Sequence, residues 1–288
     1  MRIGICAYNL SAPRLLDIAV AADELGFDAL WLGEHVVLPC GYTSAHPTRP
    51  GGEADNAPFA TIVEPDTELL DPWVFLGAVA GATTRLRLAT GIYIAPLRHP
   101  LATARAAVTA HDVSAGRFVL GVGSGWLREE FSALGVPFEE RAARFDETVE
   151  ILRRAWEGGP FAHQGTAFQF EPVQVTPRPV AIPLVLGGNS ERALRRAATL
   201  GDGWFSSGLP SFDEAVRLHE RLRALRERQP RADSFRCYFR ADFGEAERLD
   251  RYEANGIDDV VFWAHQLCPP DADPCASLRR AADQLGVR

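Results

Sequence analysis

Residues 184–190 read Leu-Val-Leu-Gly-Gly-Asn-Ser, and the fold can be argued outward from them. A short continuous apolar run is the pattern of a strand buried on both faces, as in a parallel sheet covered by helices. The two glycines permit a tight turn, and Ser190 is placed to cap a helix that begins after it. Together they make one βα unit. The same unit recurs along the chain, with strand candidates at 2–8, 28–33, 86–95, 117–122, 182–187, 203–207, 235–241 and 258–263. Each is followed by a helical pattern, so the eight predict a parallel α/β fold, a (β/α)8 TIM barrel.

The helices carry their own punctuation. Between 13 and 25, Leu15, Ile18, Ala19, Ala22 and Leu25 fall on one face with Arg14, Asp17 and Glu24 opposite, and Gly26 follows as a stop. Asp71-Pro72 and Asp273-Pro274 each set a capping acid before a proline suited to the first helical turn, and Ser211 with Glu214 forms a capping box. Two segments depart from the alternation. Residues 36–70, after strand two, are rich in proline and glycine without periodicity, and a loop of that length is usually a lid or a binding loop. Residues 161–170 read as a small hairpin inserted before strand five. The expectation is a single barrel domain over residues 1–288.

Composition removes several classes of function. The net charge of −8 is unsuited to a nucleic-acid surface. All 30 cationic side chains are arginine. Without lysine there is no Schiff base, no pyridoxal-phosphate anchor and no G-x-x-x-x-G-K-[ST] phosphate loop. The five cysteines are scattered and form no C-x-x-C pair, which suits a reducing compartment. The opening residues read as a strand rather than a signal peptide, and no stretch of 18 apolar residues occurs. A soluble, cytoplasmic protein is expected, with a small-molecule substrate, no nucleic-acid or membrane partner, and no metal.

In such barrels chemistry is built at the C-terminal ends of the strands. Strand two ends at Gly33-Glu34-His35, and strand three at Thr90-Gly91-Ile92-Tyr93-Ile94-Ala95-Pro96. Strand four ends at Gly121-Val122-Gly123-Ser124-Gly125-Trp126, strand five at Gly187-Gly188-Asn189-Ser190, and strand six at Ser206-Ser207-Gly208. The strand-five turn is the best phosphate candidate, because helix amides and the positive end of the helix dipole would face an anion there. The alternative is an ordinary tight turn with Ser190 as cap. The Gly121–Gly125 run has Trp126 where G-x-G-x-x-G has its last glycine, at the sixth position, and marks close backbone approach to a planar ligand or a structural turn. His35 is placed for proton exchange near neutral pH, although a lone histidine is equally often structural. His46, His99, His111, His163, His219 and His265 form no metal-ligand spacing, and there is no G-x-S-x-G elbow. Arg98 and Arg128 could meet an anion, but exposed arginines are more often simply solvated.

At these motifs the chain resembles the luciferase-like monooxygenase superfamily, and within it the deazaflavin (coenzyme F420) oxidoreductase branch. The resemblance rests on Leu25-Gly26-Phe27-Asp28-Ala29-Leu30-Trp31 with Glu34-His35, on Thr83 to Gly91, on Pro96-Leu97-Arg98-His99-Pro100 and on Ser114-Ala115-Gly116-Arg117-Phe118. It continues through Gly121-Val122-Gly123 with Trp126-Leu127-Arg128-Glu129-Glu130-Phe131, Gly187 to Ser190, and Ala198 to Trp204, in order from residue 1 to about 210. It implies a tricyclic ring in the barrel mouth with His35 as catalytic residue near the hydride-carrying edge. It also implies cofactor contacts from Glu34, Ile92, Tyr93, Ala95, Gly123, Trp126, Gly187, Gly188, Asn189 and Ser206, with Ser207 as an alternative to Ser206. A non-proline cis peptide at Ile92–Tyr93 and a homodimer are further implications. The cofactor expected is F420, with FMN as the alternative; an FMNH2-dependent monooxygenase and a barrel that only binds a ligand are the competing functions. One departure stands out: related sugar-phosphate dehydrogenases place a glutamate where this chain has Trp126. That argues against sugar-phosphate chemistry and for an apolar or aromatic substrate.

Overall fold

The computed structural model describes residues 1–45, 67–229 and 234–287. Its elements are β1 (Arg2–Ala7), α1 (Ala12–Leu25), β2 (Ala29–Leu32), α2 (Pro72–Ala82), β3 (Arg87–Thr90), α3 (Pro100–Val113), β4 (Phe118–Gly123), α4 (Arg128–Ala133) and α5 (Arg141–Trp156). There follow β5 (Leu184–Gly187), α6 (Glu191–Leu200), β6 (Gly203–Phe205), α7 (Phe212–Arg226), β7 (Arg236–Arg240), α8 (Leu249–Ala254), β8 (Asp259–Trp263), α9 (Ala264–Leu267) and α10 (Pro274–Leu285). Each strand pairs in parallel with its neighbour in the chain, and β1 pairs with β8 in the register Ile3↔Val260, which closes the cylinder. The (β/α)8 barrel expected from the apolar runs is the fold observed.

Side chains alternate strictly across the wall. Ile3, Ile5, Leu30, Leu88, Leu120, Leu184, Trp204, Phe239 and Phe262 point outward into the layer beneath the helices. Cys6, Ala29, Trp31, Ala89, Val119, Val185, Phe205, Tyr238 and Val261 point inward and fill the interior. Trp31 is the central plug, its ring 4.5 Å from Phe205 and 4.6 Å from Tyr238. Space for it comes from glycine: a Cβ on Gly91 would lie 2.9 Å from the Trp31 Cβ.

The N-terminal end of the barrel is sealed by charge. Asp259 at the start of β8 accepts from Arg2 at 2.8 and 2.9 Å and also pairs with Arg236. Asp28, just before β2, pairs with Arg87 and lies 3.3 Å from Arg236, while Arg87 also donates to the Tyr238 hydroxyl at 3.2 Å. Hydrogen bonds from Arg2 and Arg236 outweigh the burial of Asp259 and hold its carboxyl below the usual aspartate range.

Two expectations need correction. Strand 86–95 is interrupted: β3 stops at Thr90, and Tyr93–Ile94 resumes as a short strand beside Val122 and Gly123 of β4. The cis peptide lies at Gly91–Ile92, one bond earlier than the expected Ile92–Tyr93. At the break the Thr90 hydroxyl donates to the Gly121 carbonyl at 2.7 Å and accepts the Gly121 N–H at 3.0 Å, so a side chain replaces one rung of the ladder. A Cβ on Gly121 would sit 2.0 Å from the Thr90 carbonyl oxygen, so it is this approach that requires a glycine. The expected hairpin is present, with Phe161–Gln164 antiparallel to Gln169–Val173. Of the 36–70 loop, residues 46–66 lie outside the described residues, and His46 with them.

Candidate active site

His35 leaves the C-terminal end of β2 and is buried, at 7% exposure. Its Nδ1 lies 2.8 Å from Oε2 of Glu130, a fully buried carboxylate on α4. The other Glu130 oxygen accepts the Val36 N–H at 2.6 Å, so one acid orients both the ring and the chain that follows it. With Nδ1 taken up, Nε2 is the nitrogen left for other chemistry. Glu129 grips the same loop farther on, accepting from Thr43 N at 2.7 Å and Ser44 Oγ at 2.6 Å. Against some burial, these hydrogen bonds hold its carboxyl at about 2. The Glu129-Glu130 doublet thus straps the start of the β2–α2 loop to α4. The Trp126 ring stands edge-on to His35 at 5.8 Å and to Tyr42 at 6.1 Å, and Tyr8 meets His35 edge-on at 6.2 Å. These rings form an aromatic wall around the imidazole.

Glu34 has a different role. Its carboxylate takes both guanidinium arms of Arg98, at 2.7 and 2.9 Å, and the Ile94 N–H at 2.7 Å. Burial pushes the carboxyl up, and Arg98 pulls it back. Glu34 therefore pins the segment after β3, and Arg98 is consumed in doing so. Tyr93 is 1% exposed, with its ring under Arg98 and against Trp73 and its hydroxyl 3.2 Å from Thr103 Oγ1. Ala95 packs in the same barrel–helix layer. The side chains of Glu34, Tyr93 and Ala95 are thus engaged by protein groups behind the mouth. Ile92 does reach the mouth. A Cβ on Gly123 would lie 2.2 Å from its Cδ1 and one on Gly187 2.5 Å. The close approach that these glycines permit is that of the Ile92 side chain, which links the tips of β3, β4 and β5.

The turn after β5 is held by hydrogen bonds on both sides. The Asn189 Nδ2 donates to the Ser207 carbonyl at 2.9 Å, and its Oδ1 accepts the Ser207 N–H at 2.8 Å. Gly188, at φ 114°, accepts the Trp204 indole N–H at 2.7 Å. Ser190 caps α6 by accepting from Ala193. The Ser206 hydroxyl is buried and accepts the Arg240 N–H at 2.8 Å. Asn189 and Ser206 therefore shape the turn with their side chains, which leaves the backbone amides of the helix start as the groups that could meet an anion. A cavity of about 310 Å³ opens beside Gly187 and Ser190, bordered by Ser124 and three arginines.

Two mouth residues were not anticipated. Arg240 ends β7 with its guanidinium 4.7 Å over Phe205 and 4.6 Å over Trp263, and its Nη2 donates to the Gly91 carbonyl at 2.9 Å. It forms a cationic floor to the mouth. The Tyr8 hydroxyl is buried with no hydrogen-bond partner among the described residues, and burial and the charge of Glu130 push its pKa up. Among those residues no group of three His, Cys, Asp or Glu could hold a metal, and no helix is long and apolar enough to cross a membrane.

The fold is a (β/α)8 barrel, and its candidate site lies at the C-terminal face of the strands, where barrel enzymes carry theirs. Residues 4–251 match the model of the luciferase-like monooxygenase family, and the chain belongs to that family of oxidoreductases. An uncharacterized protein of Mycobacterium tuberculosis is 30% identical over 266 residues, covering 90% of this chain and 88% of its own length. The F420-dependent glucose-6-phosphate dehydrogenase of Nakamurella multipartita is 27% identical over 293 residues, covering 98% of this chain and 78% of its own. Among solved structures, an F420-dependent secondary alcohol dehydrogenase in complex with an F420-acetone adduct superposes with a TM-score of 0.64 at 18% identity, covering 100% of this chain and 84% of that one. Solved chains of this fold include ones holding FMN as well.

Proposed function

We propose that the chain is an F420-dependent oxidoreductase that exchanges hydride with a small organic substrate bearing an apolar or aromatic part. The observation that carries this is the buried His35–Glu130 pair at the mouth. The named deazaflavin-dependent relative supports F420 over FMN. The residues present fit a planar cofactor with an anionic tail. The amide-rich turn and cavity at β5 suit the tail, and around His35 stand the Trp126 ring and Tyr8, whose buried hydroxyl has no partner among the described residues. Gly187 and Gly188 would hold the phosphate through backbone amides, and Ile92 would back the ring.

The bound deazaflavin would take up or deliver the hydride. His35 handles the accompanying proton: in alcohol oxidation Nε2 accepts the hydroxyl proton, and in carbonyl reduction it returns one to the oxygen. Glu130 holds Nδ1 protonated, which leaves the Nε2 lone pair available, and it stabilises the imidazolium that forms. Trp126, Tyr42 and Tyr8 exclude water and present an apolar face to the substrate. An indole at 126 offers no carboxyl proton donor, so sugar phosphates are not the substrates proposed.

Spectral titration of the protein with F420 and with FMN tests the cofactor. F420 should bind at least about tenfold more tightly, a difference of roughly 1.4 kcal/mol. The opposite order, together with oxygen consumption on adding reduced FMN, would replace this reading with the monooxygenase one.

A further inference from the structure

The cavity beside the β5 turn reaches from that turn to the starts of α5 and α6. It is lined by Ser124, Gly187 and Ser190 together with Arg141, Arg192 and Arg196. It lies where α5 and α6 both begin, so two helix starts converge on it. The acids nearby are already matched. Glu139, which borders the cavity, pairs with Arg128, and Asp146 takes Arg196 at 2.8 Å. Glu191 is held by Arg195 at 2.8 Å and by Arg221. Two cations remain in excess. Among the described residues Arg141 forms no ion pair; it donates to the Phe138 carbonyl at 3.0 Å and stacks on the Phe138 ring at 3.8 Å. Arg192 reaches Asp146 only at 3.9 Å and is two-thirds exposed. In a chain of net charge −8, two arginines in excess of the closely paired acids at one cavity are a local reversal of sign.

We propose that Arg141 and Arg192 form a second anion subsite, which takes carboxylates lying beyond the phosphate of the cofactor tail. The proposal rests on the F420 reading above, because the tail of that coenzyme continues from its phosphodiester into a chain of carboxylates, whereas FMN ends at one phosphate. The subsite makes the chain selective for the long polyanionic tail. Planar guanidinium groups suit carboxylate recognition through paired hydrogen bonds.

The test is a set of dissociation constants, read by fluorescence quenching and independent of turnover. The probes are F420 carrying several glutamates, F420 truncated to the phospholactyl group, and FMN. The full-length form should bind wild type about tenfold more tightly than the truncated form, and the advantage should shrink as salt rises. Arg141→Gln with Arg192→Gln should abolish that advantage while leaving the affinity for truncated F420 within about twofold. Arg192→Gln alone, at an exposed site, should remove part of it and serves if the Arg141 change weakens folding. Equal wild-type affinities for the two F420 forms would overturn the subsite and leave the cofactor reading standing. Binding of FMN but of neither F420 form would overturn both.

Discussion

The two ends of this barrel carry similar charges in opposite economies. At the N-terminal end, Asp28 and Asp259 meet Arg2, Arg87 and Arg236, and the arginines outweigh the burial of Asp259 and keep its carboxyl low. At the mouth, Glu34 also meets an arginine, yet burial dominates and its carboxyl moves up. The difference lies in donors and water. Asp259 takes two partly exposed arginines, whereas Glu34 has one arginine and one amide in near-complete burial. The lower end closes on itself and serves stability. In the mouth the carboxylates do positioning work instead: Glu34 with Arg98 holds the segment after β3, and Glu130 orients the His35 ring.

The comparison can be broken by moving damage from one end to the other. Asp259→Ala should be the largest effect, lowering stability by about 3 kcal/mol, because it removes the buried carboxylate that pairs with Arg2 and Arg236. Cofactor affinity in the folded protein should be unchanged. The same group sets an acid limit. Its folded pKa lies below its unfolded value near 3.8, so its stabilisation is full above that value and is lost as pH falls through the folded pKa. Thermal melts of wild type should therefore drop below about pH 4, and Asp259→Asn should melt lower at neutral pH with a shallower acid decline. If loss of Asp259 instead abolished cofactor binding in a folded protein, the division between the two ends would be wrong.

His35→Ala should do the reverse. Turnover should fall by about 10²-fold, roughly 2.7 kcal/mol in the barrier, while melting temperature and cofactor affinity stay close to wild type. Stopped-flow measurement of hydride transfer separates the two quantities, and an unchanged rate would remove His35 from the mechanism.

How much of this was legible in the chain depends on whether a residue's task is set by its own strand or by a neighbouring one. The eight strands could be read because each is a local apolar run. The β5 turn could be read because glycines and a cap stand together in the chain. The cis bond was misplaced by one because it came from the family resemblance rather than from any local pattern in this chain; it lies at Gly91–Ile92. Arg240 was missed although a signal existed. Arg236, Tyr238 and Arg240 alternate along β7 and so share the inward face, which set a charge at each end of the barrel. Glu130 gave no such signal, since an acid in the first turn of a short helix is ordinary, and only the fold brings it to His35.

Glu130→Gln is the subtlest prediction and the one that sharpens the contrast most. The amide retains the shape of the carboxylate and can still accept the Val36 N–H. Facing His35 it offers a donor where wild type offers an acceptor, so the imidazole must present its Nδ1 lone pair and carry its proton on Nε2. The nitrogen that faces the mouth then loses its lone pair, and the negative charge that stabilises imidazolium is gone. Turnover should fall about tenfold or more with substrate KM and cofactor affinity nearly unchanged. The solvent isotope effect should grow as proton transfer comes to limit the rate. A merely structural role for Glu130 would give a different pattern: a lower melting temperature and a higher KM with no change in isotope effect. The same substitution logic at the lower end, Asp28→Asn, replaces an acid whose partners are all permanent cations, so it should move stability and leave the isotope effect where it was.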